Sequence, residues 1–152
     1  MSSKISTIYD ALLTRLASNF PNHQRLPVVY SIESNPENYL DQGYALVIGA
    51  GLNSKRHLSC QLDIERTMTV VLTRQFWALE LDASPKSTVE KLLLEDQYTL
   101  IADFEKNIAL NDPSVSACEF VGDNGIEIVF LNKNSFLKIT STFRIRYFQD
   151  LS

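Results

Sequence analysis

The chain has 152 residues, about the size of one ordinary domain, with 45% apolar residues, 21% charged residues and a formal net charge of −4. This balance excludes intrinsic disorder, and a sequence pI near 5.1 argues against a protein that grips nucleic acid through a dominant field of lysine and arginine. No window approaches the ~20 apolar residues that span a bilayer, the N-terminus lacks the apolar run of a secretory signal, and Cys60 and Cys118 stand outside any metal or disulfide framework, so a protein with two reduced thiols is expected in the cytoplasm where it is made.

Ile5, Ile8, Tyr9, Leu12, Leu13 and Leu16 recur at helical spacing and predict an amphipathic helix over about residues 4–19. Ser3 or Ser6 serves as its cap. Phe20-Pro21 ends it, because proline cannot continue the hydrogen-bond ladder and disfavours helical geometry in the residue before it. Between residues 21 and 43 only 28–32 has the β-branched and aromatic content of a strand, and Asn35-Pro36 and 41–43 read as loop. Residues 44–48 read as a short buried strand. Residues 49–58, which include Lys55, Arg56 and His57, read as a polar loop projecting from the sheet toward a neighbouring subunit or another partner protein.

From Gln61 the chain alternates: Leu62, Ile64, Met68, Val70 and Leu72 share one face, and Asp63, Glu65, Thr67, Thr69 and Thr73 the other. Arg66 interrupts the apolar face and Arg74 falls on it past Leu72, which predicts a bulge or an emergence into solvent. Residues 76–81 continue as extended chain. A second helix is expected to open at Ser87, with Glu90 completing a capping box, to carry the stripe Val89, Leu92, Leu93, Leu100, Ile101, Phe104 and Ile108, and to close at Asn111-Asp112-Pro113. The remainder reads as a meander of three strands, 115–121, 126–131 and 136–148, joined by turns at 122–125 and 132–135.

This order predicts a single α+β domain over residues 1–152: one mainly antiparallel or mixed β-sheet with two amphipathic helices packed on one face. No catalytic or metal-binding constellation stands out. Gly49-Ala50-Gly51 lacks the helix and third glycine of a dinucleotide fingerprint and reads as a tight turn. Asp63 and Glu65 share a strand face, as nuclease carboxylates can, but without a third ligand they read as a surface pair. His23 and His57 have no metal-ligating neighbour, and neither cysteine has an activating context. Arg144, Arg146 and Lys138 form a basic row that suits either an acidic partner or a solvated, edge-protecting face. Trp77, beside Phe76, suits an interface anchor, while core packing suits at least one of the two rings better.

The element order of helix (Ile5 to Leu16), polar loop, long strand (Gln61 to Thr73), mid-chain helix (Ser87 to Ile108) and C-terminal meander (Val115 to Phe148) resembles that of the tail terminator, or tail completion, proteins of long-tailed bacteriophages. The resemblance implies a non-enzymatic virion protein that needs no cofactor. Its subunits assemble into a ring, usually a hexamer, on the last disc of the major tail tube protein, stop tube growth and present a surface to a head completion or connector protein. DNA passes through such a channel without specific binding, which suits an acidic chain because like charges repel. The resemblance places the protein at the head-proximal end of the tail, and in the host cytoplasm during assembly. Exposure and reach make Lys55, Arg56, His57, Trp77, Arg144 and Arg146 the candidate subunit and tube contacts. Another neck or head completion protein is the nearer alternative, and a metal-dependent nuclease using Asp63 and Glu65 the farther one.

Overall fold

The first helix, α1 (Lys4–Asn19), buries Ile8, Leu12 and Leu16, one residue per turn along a single stripe. Its Ser3 N-cap makes no side-chain bond; the Lys4 amide N–H donates instead to Gln149 Oε1 at 2.7 Å, so a side chain from the last strand satisfies the helix start. A computed structural model describes residues 3–25, 42–58, 60–76, 84–131 and 134–151. After α1 these form β1 (Gln24–Arg25), β2 (Gln42–Leu58), β3 (Gln61–Phe76), α2 (Ser84–Asn111), β4 (Val115–Leu131) and β5 (Asn134–Asp150).

The strands form one sheet in the order β1-β2-β3-β5-β4, with β1 parallel to β2 and every other pairing antiparallel. The fold is therefore α+β. Met68, Val70 and Leu72 of β3 and Leu137, Ile139, Phe143, Ile145 and Tyr147 of β5 form one sheet face, buried with α1 and with Leu93, Leu100 and Phe104 of α2 in a single core. At its centre the Phe143 ring packs 5.1 Å from Phe104 and 5.7 Å from Phe120, centroid to centroid, joining α2, β4 and β5.

Two segments expected to leave the sheet stay in it. Residues 49–58 are not a projecting loop but the second half of β2, paired with β3 as far as Leu58↔Gln61. The alternating β3 offers an unbroken partner, and an antiparallel ladder satisfies backbone groups whatever the polarity of the side chains. Register shifts between Ile48 and Gly51, Asn53 and Lys55, and Lys55 and Leu58 absorb the irregular sequence. Gly49 makes no tight turn. A Cβ there would stand 2.5 Å from Thr67 Oγ1, so glycine is required by the close approach of the neighbouring strand.

Residues 122–125 likewise do not turn the chain. Asp123 pairs with Ser141 and Ile126 with Ile139, so β4 advances three residues while β5 advances two, and the expected turn is a bulge inside one continuous strand. Gly125 takes a φ of 77°, and the Asp123 carboxylate accepts its N–H at 2.7 Å. The expected meander is thus a hairpin of two long strands, because Gly-Asn sequences serve a bulge as well as they serve a turn. A Cβ at Gly125 would meet nothing within 4 Å, so Gly125→Ala tests backbone strain alone. It should cost about 1–2 kcal/mol in chemical denaturation; an unchanged midpoint would mean that the bulge relaxes freely.

The second helix begins at Ser84, three residues before the expected cap, which places Ser87 inside it. Pro85 falls in the first turn, where its missing N–H leaves no ladder bond unmade. β3 has no bulge of its own: its register with β5 runs unbroken from Gln61↔Asp150 to Phe76↔Ser135, and the shift near Arg66 lies on β2. The expected strand at 28–32 and the extension past Phe76, with Trp77, fall outside the described residues.

Candidate assembly surface

Three polar clusters tie the helices to the sheet and to each other. Arg74 on β3 donates through Nε and Nη2 to the Asp96 carboxylate on α2 at 2.7 and 2.9 Å, so it turns inward rather than emerging into solvent. The His23 Nε2 lies 3.3 Å from Asp96 Oδ2, in a side chain only 5% exposed whose ring packs at a 50° tilt against Phe20, 4.8 Å between centroids. Arg15 of α1 bonds Asp103 of α2, which also accepts from Asn19 at 2.7 Å and Asn107 at 2.8 Å. Gln97 donates to Asp123 and Ser141 at 3.0 Å each, fixing α2 over β4 and β5.

Burial pushes the Asp96 carboxyl up, but hydrogen bonds from His23 and Arg74 outweigh it and hold the group below the usual carboxylate range. Asp103 follows the same balance, with Arg15, Asn107 and Asn19 overcoming its burial. An Asp–His pair is an arrangement in which acid–base chemistry is sought, yet here both carboxylate oxygens face one guanidinium and the imidazole is enclosed. The pair holds α2 against the end of α1 and β3. Burial pushes the Cys118 thiol up to about 12, with Glu105 and Glu119 adding to the shift, so that sulfur is no thiolate nucleophile. Cys60 is exposed. Among the described residues no three His, Cys, Asp or Glu side chains converge to hold a metal ion.

The structure separates the candidate residues. Arg144 and Arg146 are exposed on the sheet face away from the helices, where Arg144 Nε lies 2.9 Å and Arg146 Nε 3.7 Å from the Glu65 carboxylate. Lys138 Nζ lies 3.5 Å from Glu127. β5 is an interior strand, so this basic row protects no edge; it pairs with acids on the strands either side. Glu65 is therefore engaged with arginines, and Asp63, expected at the surface, is buried at 8% exposure. Lys55, Arg56 and His57 lie on β2 near its hairpin end, with Lys55 in register with Asp63. Trp77 lies outside the described residues.

Sequence reasoning missed the two ends of the sheet, because which strands become edges depends on pairing order. Among the described residues β1 pairs with the side of β2 away from β3 at Gly43 and Tyr44, and β4 has β5 on one side and no strand on the other. The two sides of the sheet differ. β2 contains Lys55, Arg56 and His57 and no Asp or Glu, whereas β4 contains Glu119, Asp123 and Glu127 and no Lys or Arg. Exposed apolar side chains gather at the same ends: Val47 and Leu52 (72% exposed) on β2, Val121 and Ile128 on β4, and Leu94 and Tyr98 (70% exposed) on α2. Leu94, Tyr98, Ile101 and Glu105 recur at i, i+4, i+7 and i+11 and so share one flank of α2. Glu105 accepts the Phe120 N–H at 2.9 Å, which sets that flank against β4.

Among the described residues no helix is long and apolar enough to cross a membrane. Neither a scan against protein-family models nor a search of curated proteins finds a match to this chain.

Proposed function

We propose that the protein is a structural assembly subunit that caps the end of a phage tail tube as a ring, ends tube polymerisation and forms the joint at which the head attaches. Its partners in this reading are further copies of itself, the major tail tube protein and a head completion or connector protein. DNA passes through the channel without specific binding. The observation that supports it is the difference between the two sides of one sheet: among the described residues β4 is an end strand that carries acids and no Lys or Arg, while β2, toward the other end beside the short β1, carries Lys55 and Arg56 and no acid. A closed ring needs two different surfaces on each subunit, and soluble proteins must guard such edges or use them.

Electron microscopy of particles lacking the protein tests this reading directly. Tails of abnormal length are expected, and tails of normal length would exclude a terminator. In dilute solution the isolated chain should sediment as a monomer or weak associate and form rings on tube ends, where a preformed disc raises the effective concentration of subunits. A stable two-fold dimer that never rearranges on tubes would contradict the proposal.

A further inference from the structure

We infer that β4 from Ile126 to Leu131, with the adjoining flank of α2, binds an extended segment of another protein that alternates apolar residues with lysine or arginine and joins the sheet as a further strand. The inference goes beyond the tail-tube reading and does not depend on it.

The end strand is guarded along only part of its length. Register shifts fall between Val115 and Ala117, Phe120 and Gly122, and Asp123 and Ile126, and Glu105 of α2 already accepts the Phe120 N–H at 2.9 Å. Bulges and an occupied donor are devices that keep an edge from pairing. They stop at Ile126. From there to Leu131 the pairing with β5 is regular, no proline interrupts it, and the single charged residue, Glu127, is held by Lys138 at 3.5 Å. Ile128 is 39% exposed and the Glu127 side chain 49%, so this stretch is open to solvent. Among the described residues no strand pairs with its far side, and a segment added there gains main-chain hydrogen bonds whatever its sequence.

α2 supplies the recognition of side chains. It runs antiparallel to β4, because Gln97 donates to Asp123 while Glu105, two turns on, reaches back to Phe120. Leu94, one turn before Tyr98, therefore lies toward Ile126 and Ile128, and both Leu94 and Tyr98 are exposed. Successive side chains of a strand alternate between faces, so every second residue of an added segment points to this apolar flank. Charge sets the rest. Glu90 and Glu105 of α2 and Glu119 and Asp123 of β4 lie beside the surface, against Lys91, while Glu127 and Lys138 offset each other. A second copy of this chain would bring these acids against their own kind, and a basic segment meets the opposite sign.

The test titrates the full chain with capped synthetic peptides of about eight residues, a usual strand length, read by fluorescence anisotropy. One alternates valine and lysine, and another valine and glutamate. A third repeats the valine–lysine sequence with every amide N-methylated, which keeps the charge but removes the donors a ladder needs. The first should bind at least about tenfold tighter than either of the others. Leu94→Ser with Tyr98→Ser should weaken it about tenfold with a thermal midpoint near that of the wild type; if that variant unfolds, Tyr98→Ser alone must still weaken it. Glu119→Lys should weaken it, while Asp10→Lys, the same charge change at an exposed site on α1, should not. Amide shifts in the labelled chain should gather at residues 126–131 and along the α2 flank. No binding at the highest soluble peptide concentration, equal binding of the N-methylated peptide, or shifts confined to other strands would overturn the proposal. A dimer of the chain alone that excludes the peptide and is lost on Tyr98→Ser would make a second copy the occupant and overturn it too.

Discussion

Asp96→Ala should destabilise the protein by about 3–5 kcal/mol, because it removes the counter-charge of an enclosed guanidinium and leaves an enclosed imidazole beside it. Arg74 makes a two-point contact with this carboxylate and His23 a third approach, so one truncation unties α2 from β3 and from the end of α1. Urea denaturation of the wild type and variant checks the magnitude. A loss under about 1 kcal/mol would class the cluster with exposed ion pairs, which contribute little. The difference should also depend on pH. The folded Asp96 binds its proton less readily than the unfolded group, so its contribution is complete above the unfolded value of about 3.9 and is lost as pH falls through the lower folded value. Wild type and variant should therefore converge in acid, and an equal gap at pH 7 and at pH 2 would refute the assignment.

Phe143→Ala should be comparably damaging, at about 3–5 kcal/mol, for a different reason. This ring is fully buried and contacts Phe104 of α2 and Phe120 of β4, so its removal opens a cavity where three elements meet. The neighbours are held by a continuous sheet on one side and a long helix on the other, which limits collapse into the space. Differential scanning calorimetry should show a large drop in midpoint with the fold retained below it. A loss nearer 1 kcal/mol would mean that Phe104 and Phe120 close the gap.

Where a segment buries one face throughout, the pattern of residues announces its structure. The stripe of Ile8, Leu12 and Leu16 marks α1 with its observed limits, and the alternation through Met68, Val70 and Leu72 marks both β3 and the face it buries. The α+β class and the placement of both helices on one face follow from those two periods. Segments rich in glycine and asparagine were ambiguous for a physical reason: the same residues tolerate the positive φ of a turn and of a bulge. Local preference could not show that residues 49–58 and 122–125 remain within strands, since a partner strand long enough to hold them exists only after β3 and β5 are in place.

The candidate surface divides in the same way. Composition and periodicity determined an acidic chain, the two helices, the long central strand and a basic row at Arg144 and Arg146. Only the tertiary structure decided that this row lies inside the sheet beside Glu65, that Asp63 is buried, that Arg74 reaches Asp96 across the helix–sheet layer, and that among the described residues β1 and β4 are the end strands. Each of these depends on contacts between residues distant in the chain. Side-chain periodicity reports which face of an element is apolar, but strand order and cross-layer ion pairs arise from the packing of whole elements, on which local spacing carries no information.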